Sequence, residues 1–285
     1  MTWNSPFVVT PAWLVAHLDD PDLAMLDGSW HLPPENRDAA AEFEQRHIPG
    51  ARFFDINTIA DIASSLPHML PPDGQFADAV GAMGIGNASR VIVYDTKGLF
   101  SAARVWWTFR VMGHDNVAVL DGGFPAWLAA GHLTDAGPAQ PRARKPFTIR
   151  RNAGMVRSMS DVRGLIGSAS TQLVDARPAP RFSGAQPEPR PGLTQGHMPG
   201  ARNVPFTELL NPDGTLKSEA ALRATFAAAG VDAAKPVVAS CGSGVTASMV
   251  ALALALLGRT DTAVYDGSWA EWGRDPASPV ATGPS

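Results

Sequence analysis

The single cysteine of the chain, Cys241, opens a run of small residues, Gly242-Ser243-Gly244-Val245-Thr246. A thiol reacts as its anion, and a glycine-rich loop can turn its backbone N–H groups onto an anionic sulfur. Residues 236–240 before the loop read as an apolar strand and 247–257 after it as an apolar helix. The thiol therefore also faces the positive end of a helix dipole. A lone buried cysteine is commonly just a small hydrophobe. Packing does not explain two glycines and two hydroxyl residues in the five positions that follow it, so the residues point to a reactive thiolate.

Such a loop needs a scaffold, and the chain writes its scaffold twice. His47-Ile48-Pro49-Gly50-Ala51-Arg52 returns as His197-Met198-Pro199-Gly200-Ala201-Arg202, and Leu26-Asp27 as Val174-Asp175. Val119-Leu120-Asp121-Gly122-Gly123-Phe124 returns as Val264-Tyr265-Asp266-Gly267-Ser268-Trp269. The offsets are 150, 148 and 145 residues, and collinear matches at near-constant spacing denote two copies of one domain rather than a solenoid. Within each copy short apolar runs alternate with helical patterns, which predicts a central parallel sheet flanked by helices. In the second copy strands are expected at 172–175, 236–240 and 262–265, and helices at 218–229 and 247–257. The fold class is α/β, with domains at 1–137 and 156–285. The proline-rich, basic stretch 138–155 is expected to be an extended, solvated linker, and residues 276–285 a loose tail.

Aligned, the copies differ where chemistry would occur. Val91-Ile92-Val93-Tyr94-Asp95 falls on Val237-Val238-Ala239-Ser240-Cys241, so Asp95 occupies the place of the thiol. A carboxylate cannot serve as a sulfur nucleophile, and the first copy is read as an inactive partner that supplies a wall of the site. Residues shared by both copies serve a shared structural job: His47 with His197, Asp121 with Asp266, and Trp127 with Trp272. Gly81-Ala82-Met83-Gly84-Ile85-Gly86 superficially suggests a nucleotide loop, but it follows a helical stretch rather than a strand.

Composition narrows the partners. With 23 basic and 27 acidic residues the net charge is −4, which gives no support to a nucleic-acid or membrane-surface partner. One cysteine cannot form an internal disulfide, and no histidines or carboxylates have metal-ligand spacing, so neither metal nor cofactor is expected. Met1-Thr2-Trp3-Asn4-Ser5-Pro6 lacks the basic and apolar regions of a signal peptide, and the longest apolar run is too short to span a bilayer. The expected compartment is the cytoplasm.

Tandem α/β copies with a loop cysteine only in the second resemble the sulfurtransferases of the rhodanese superfamily. The likeness runs through Asp27-Gly28-Ser29-Trp30, Pro67-His68-Met69-Leu70-Pro71, Arg104-Val105-Trp106-Trp107, residues 181–190 and Asp266-Gly267-Ser268-Trp269. Cys241-Gly242-Ser243-Gly244-Val245-Thr246-Ala247 is similar to the loop of the branch that uses 3-mercaptopyruvate, whereas the thiosulfate-using branch carries basic residues just after the cysteine. The resemblance implies that Cys241 takes sulfur from a small donor as a persulfide, releases pyruvate and passes the sulfur to a thiophilic acceptor such as a thiol, thioredoxin or cyanide. Transfer from thiosulfate is the alternative. It further implies that Arg181 and Arg190 hold the donor's carboxylate and carbonyl, a task suited to a bidentate guanidinium, with Glu188 orienting one of them. Gly242, Gly244, Val245 and Thr246 would surround the sulfur with N–H groups. Ser243, two residues past the nucleophile, and His68 would form a proton relay. The family often has a further acid where this chain has Asn57, which leaves Asp55, Asp61 or no acid at all as alternatives. A cysteine phosphatase on a related fold would need an arginine six residues after the cysteine, where this chain has Ala247.

Overall fold

Strands buried on both faces need no polar alternation, and the short apolar runs become the central strands of two parallel sheets. The computed structural model describes residues 5–284; the expectation about a leader rests largely on residues 1–4, which lie outside the described residues. Contacts gather the chain into two units. Unit 1 holds residues up to Ile62, Leu70–Asn152 and Pro212–Leu216; unit 2 holds Ala63–Met69, Ala153–Asn211 and the chain from Lys217 onward.

Unit 1 runs β1 (Val8–Val9), α1 (Pro11–Ala16), β2 (Leu23–Asp27), α2 (Ala39–Gln45), β3 (Arg52–Phe53), α3 (Asp73–Ala82), β4 (Arg90–Tyr94), α4 (Ala102–Val111), β5 (Val117–Leu120) and α5 (Gly123–Ala129). Its sheet has the order β1-β5-β4-β2-β3, every pairing parallel. Unit 2 repeats the plan with β6 (Val156–Arg157), α6 (Met159–Leu165), β7 (Gln172–Asp175), α7 (Ala179–Phe182), β8 (Arg202–Asn203), α8 (Glu219–Ala228), β9 (Val237–Ser240), α9 (Ala247–Leu256), β10 (Ala263–Tyr265) and α10 (Ser268–Trp272). The order is β6-β10-β9-β7-β8, again all parallel. In unit 2, β7 and β9 register Gln172 on Val237 through Asp175 on Ser240, so the carboxyl end of β7 lies beside the start of the cysteine loop. Ligands of parallel α/β sheets bind at that end of the strands. Every residue of α9 is buried, which explains why the helix is apolar all round. No helix among the described residues is long and apolar enough to cross a membrane.

The repeated histidines and tryptophans do the same work in each unit. The His47 ring stacks on Phe43 at 4.0 Å and its Nδ1 contacts the Phe43 carbonyl at 2.7 Å. The His197 ring stacks on Phe182 at 3.8 Å and its Nδ1 contacts the Phe182 carbonyl at 2.9 Å. Trp127 donates its indole N–H to Leu133 O (2.8 Å), and Trp272 does so to Pro279 O (2.9 Å).

The units depart from a division at 137 and 156. Residues 138–152 are part of unit 1 and run along its helix ends: Lys145 N–H donates to Gly81 O at 3.0 Å, Arg150 N–H to Met112 O at 3.1 Å and Asn152 N–H to Val111 O at 2.7 Å. Proline keeps this stretch extended, and an extended backbone can satisfy the open carbonyls that helix ends leave. Gly113 makes room for it, since a Cβ there would lie 2.3 Å from Arg150 O. Pro212–Leu216 joins unit 1 because the buried Asp121 carboxylate accepts the Leu216 N–H at 2.8 Å. The tail is strapped down rather than loose. Ala281 exchanges two backbone bonds with His197 (2.8 and 2.9 Å), and Gly283 N–H donates to Ser183 O at 2.9 Å. Composition misleads here because proline and glycine suit an extended strap as well as a free end.

Candidate active site

β9 delivers Cys241 at its carboxyl end and α9 begins six residues later. Gly244 turns the loop between them at φ +77°, a left-handed conformation that glycine adopts without a Cβ penalty. Cys241 is buried, 2% exposed. The start of α10 clamps three backbone groups of Cys241 and Gly242. Cys241 N–H donates to the Ser268 hydroxyl (3.2 Å), while Trp269 N–H and Ala270 N–H donate to the carbonyls of Cys241 and Gly242 (both 2.9 Å). In a trans peptide C=O and N–H point in opposite directions, so these bonds turn the N–H groups of Gly242 and Ser243 away from α10. Among the described residues, no acceptor is found for the N–H groups of Gly242, Ser243, Val245 and Thr246. Donors grouped in this way at the start of an apolar helix suit an anion.

Two guanidiniums stand beside the loop. A Cβ on Gly242 would lie 3.1 Å from Arg181 Nη2 and 3.8 Å from Arg190 Nη1, so the bare glycine backbone lets both cations approach the residue after the cysteine. Arg181 comes from the short helix α7. It donates from Nη2 to one oxygen of Glu188, whose other oxygen accepts from Arg177 Nη1 at 2.7 Å. Arg177 is buried over the Trp269 ring (4.2 Å) and donates to Asp175 from Nε and Nη2 (2.7–3.1 Å) and to Gly196 O (2.8 Å). Burial disfavours its charge, but Asp175 and Glu188 outweigh burial and hold the proton more tightly than usual. Glu188 thus orients Arg181. Arg190 is the less compensated cation: burial lowers its proton affinity, a Cys241 thiolate opposes that, and Arg181 lowers it again.

Ser243 and His68 meet at Arg190. Its Nη2 lies 3.4 Å from Ser243 Oγ and 3.5 Å from His68 Nε2, at the long limit of hydrogen bonding. A guanidinium only donates, so in this contact Nε2 stands on the accepting side. The two residues expected to form a relay are therefore gathered around a shared cation. His68 belongs to unit 2 although it lies in the first copy of the sequence. It is buried at φ +60°, a strained backbone for a residue other than glycine. Asp55, one alternative for the acid, uses its carboxylate to accept the Asn57 N–H at 2.8 Å and close its own turn. Val245 is buried and its carbonyl accepts the Ser248 N–H, while Thr246 precedes α9 as its cap residue.

Sequence reasoning passed over Arg177 and Ser268. Arg177 folds back on Asp175 two residues earlier, but the other partners that enclose it, Glu188 and Gly196, are 11 and 19 residues further on. Ser268 did carry a signal, because the first copy has Gly123 at the matching position. Asp95, the counterpart of the thiol in unit 1, is buried and accepts N–H groups from Lys97 (2.8 Å), Phe100 (2.7 Å), Ser101 and Ala102 (both 2.8 Å). Its loop is filled by its own carboxylate.

Comparison with known proteins agrees with this geometry. The rhodanese-like domain model matches residues 10–130 and 158–275. A 3-mercaptopyruvate sulfurtransferase of Rattus norvegicus is 45% identical over 271 residues, covering 93% of this chain and 91% of the relative. A thiosulfate sulfurtransferase of Gallus gallus is 45% identical over 252 residues, covering 88% of this chain and 86% of the relative. The crystal structure of SseA from Escherichia coli, described as a 3-mercaptopyruvate sulfotransferase, superposes with a TM-score of 0.85 at 41% identity, covering 95% of this chain and all of that one. Matched in both halves, with one cysteine loop open and the other closed by Asp95, the chain belongs to the rhodanese family as a tandem of two rhodanese-like domains.

Proposed function

We propose that the chain is a sulfurtransferase that moves the sulfur of 3-mercaptopyruvate through a persulfide on Cys241 to a thiophilic acceptor. The observation that carries this reading is the pair Arg181 and Arg190 beside Gly242, next to a cysteine loop that has no cation of its own. A 2-oxo acid offers these cations a planar carboxylate and a carbonyl oxygen, which suit the fork geometry of guanidinium.

The Cys241 thiolate attacks the donor's sulfur, the carbon–sulfur bond breaks, and its electron pair leaves as the enolate of pyruvate. Proton uptake at that carbon gives pyruvate and leaves Cys241 carrying the second sulfur. Loop N–H groups stabilise anionic sulfur before and after this step, and the arginines stabilise the enolate oxygen and the carboxylate. Ser243 accepts from Arg190, which turns its own O–H away from that guanidinium and leaves it free to donate a proton. An acceptor thiolate then attacks the outer sulfur and releases Cys241, so the kinetics are ping-pong. Small thiols, thioredoxin and cyanide all fit this second step.

Thiosulfate is the second reading, favoured by the name of the Gallus gallus relative. The loop's lack of a cation argues against a dianionic donor. Comparing kcat/KM for the two donors with one acceptor decides between them. The expected result is a clear preference for 3-mercaptopyruvate and no turnover by Cys241→Ser; faster use of thiosulfate would reverse the donor assignment.

A further inference from the structure

The two copies differ at a backbone position where a side chain is costly. Gly123 and Ser268 correspond in the repeat, and both hold positive φ, +55° and +50°. In unit 1 a side chain is excluded, since a Cβ on Gly123 would lie 2.4 Å from Gly98 O and 2.5 Å from Asp95 O. In unit 2 the same turn carries a serine in spite of the strain that an L-residue suffers there. Ser268 has no exposed surface, so contact with solvent does not account for it.

Its hydroxyl is fully engaged. It donates to Tyr265 O at 2.8 Å and accepts the Cys241 N–H at 3.2 Å. The neighbouring bond in which α5 or α10 donates to the loop carbonyl is common to both units: Phe124 N–H to Asp95 O and Trp269 N–H to Cys241 O, each 2.9 Å. What distinguishes the thiol-bearing copy is the hydroxyl and the peptide N–H it holds. Strain kept at one position of one copy, in contact with the residue that differs most between the copies, follows the pattern expected of a functional constraint.

We propose that Ser268 is a positioning residue for Cys241, a strained serine whose hydroxyl fixes the peptide unit from which the sulfur projects. This rests on the reading of Cys241 as nucleophile. Fixing that unit holds the thiol against the N–H groups of the loop; without the hydroxyl, the Cys241 N–H and the Tyr265 carbonyl lose a buried partner and the peptide is free to rotate. Ser268 touches neither donor nor acceptor and acts only through the cysteine.

The test uses Ser268→Gly and Ser268→Ala in the full chain. Three quantities are measured for each: thermal midpoint, kcat with 3-mercaptopyruvate, and the rate of Cys241 alkylation by iodoacetamide as a function of pH. Glycine removes the strain together with the hydroxyl, so Ser268→Gly is expected to melt higher than Ser268→Ala. It is expected to lose at least tenfold in kcat and to alkylate with its pH midpoint shifted upward. Ser268→Ala keeps the strain and loses both bonds, so it is expected to melt lower with the same loss of kcat. Ser268→Gly with the wild-type kcat and alkylation profile would overturn the proposal. So would a loss of activity that merely tracks the folded fraction. Alkylation needs no donor, so a wild-type chain inactive toward 3-mercaptopyruvate would refute the proposed function while leaving this test readable.

Discussion

Asp27→Asn is expected to stabilise unit 1 at pH 7 and to have no such effect at pH 4. The carboxyl end of β2 places Asp27 1% exposed. Burial pushes its pKa up from 3.8 to about 6; the Ser29 hydroxyl and N–H, the latter 2.9 Å from Oδ1, and the Tyr94 hydroxyl pull it back, while Asp95 adds to the rise. The folded value lies above the unfolded one, so between these two pH values the fold binds a proton that the unfolded chain has released. The stability tied to this group is complete below pH about 4 and is lost as the pH climbs to about 6. At about 1.4 kcal/mol per pKa unit the loss amounts to about 3 kcal/mol at most. An asparagine keeps an oxygen for the Ser29 N–H and carries no ionisation penalty. The assay is denaturant unfolding of both proteins from pH 4 to 7.5, with hydrogen exchange at β2 and β4 amides to isolate unit 1. Other carboxylates titrate in this range, so the informative quantity is the difference between the two proteins. It should grow from near zero at pH 4 toward about 3 kcal/mol at pH 7. Parallel curves across that range would refute the assignment of a raised pKa to Asp27.

Arg190→Ala is expected to raise KM for 3-mercaptopyruvate by about tenfold to a hundredfold, the worth of one hydrogen bond to a charged group. Steady-state kinetics checks it, and an unchanged KM would remove Arg190 from donor binding. Arg177→Met leaves Asp175 and Glu188 buried without their shared cation, so a loss of about 3–5 kcal/mol in stability is expected. Thermal and denaturant unfolding measure it; a variant as stable as the wild type would show that the network is dispensable.

The parts legible in the sequence were those fixed by local chemistry. Residues 172–175 form the strand read there, the helix read at 218–229 is Glu219–Ala228 with Ser218 capping it, and Cys241 opens the loop between β9 and α9 as its neighbours implied. Repeat comparison read His47 and His197 as structural, and both rings are stacked on a phenylalanine and bonded to its carbonyl. What stayed hidden depends on partners distant in the chain. Residues 138–152 look like a linker until Gly81, Met112 and Val111 offer them carbonyls. Arg177 looks like a surface residue until Glu188 and Gly196 close over it. His68 follows the sequence of the first copy but the contacts of unit 2, an exchange that no local pattern reports.

The two carboxyl ends show how one scaffold carries a closed loop or an open one without changing its strands. In unit 1 the loop after β4 meets its own need for an anion: the Asp95 carboxylate takes four N–H groups that would otherwise call for a ligand. With an intramolecular partner in that position, those four N–H groups are not open to a ligand. In unit 2 Cys241 stands at that position, and the N–H groups of Gly242, Ser243, Val245 and Thr246 have no acceptor among the described residues. The buried aspartates one strand away follow the same division. Asp27 is met by neutral hydrogen bonds and holds its proton to higher pH, whereas Asp175 is met by the full charge of Arg177, which also reaches Glu188 and through it Arg181. A charge network anchored in the core of unit 2 therefore ends at the cysteine loop. Unit 1, which has Ser29 where unit 2 has Arg177, builds no such network from its buried aspartate.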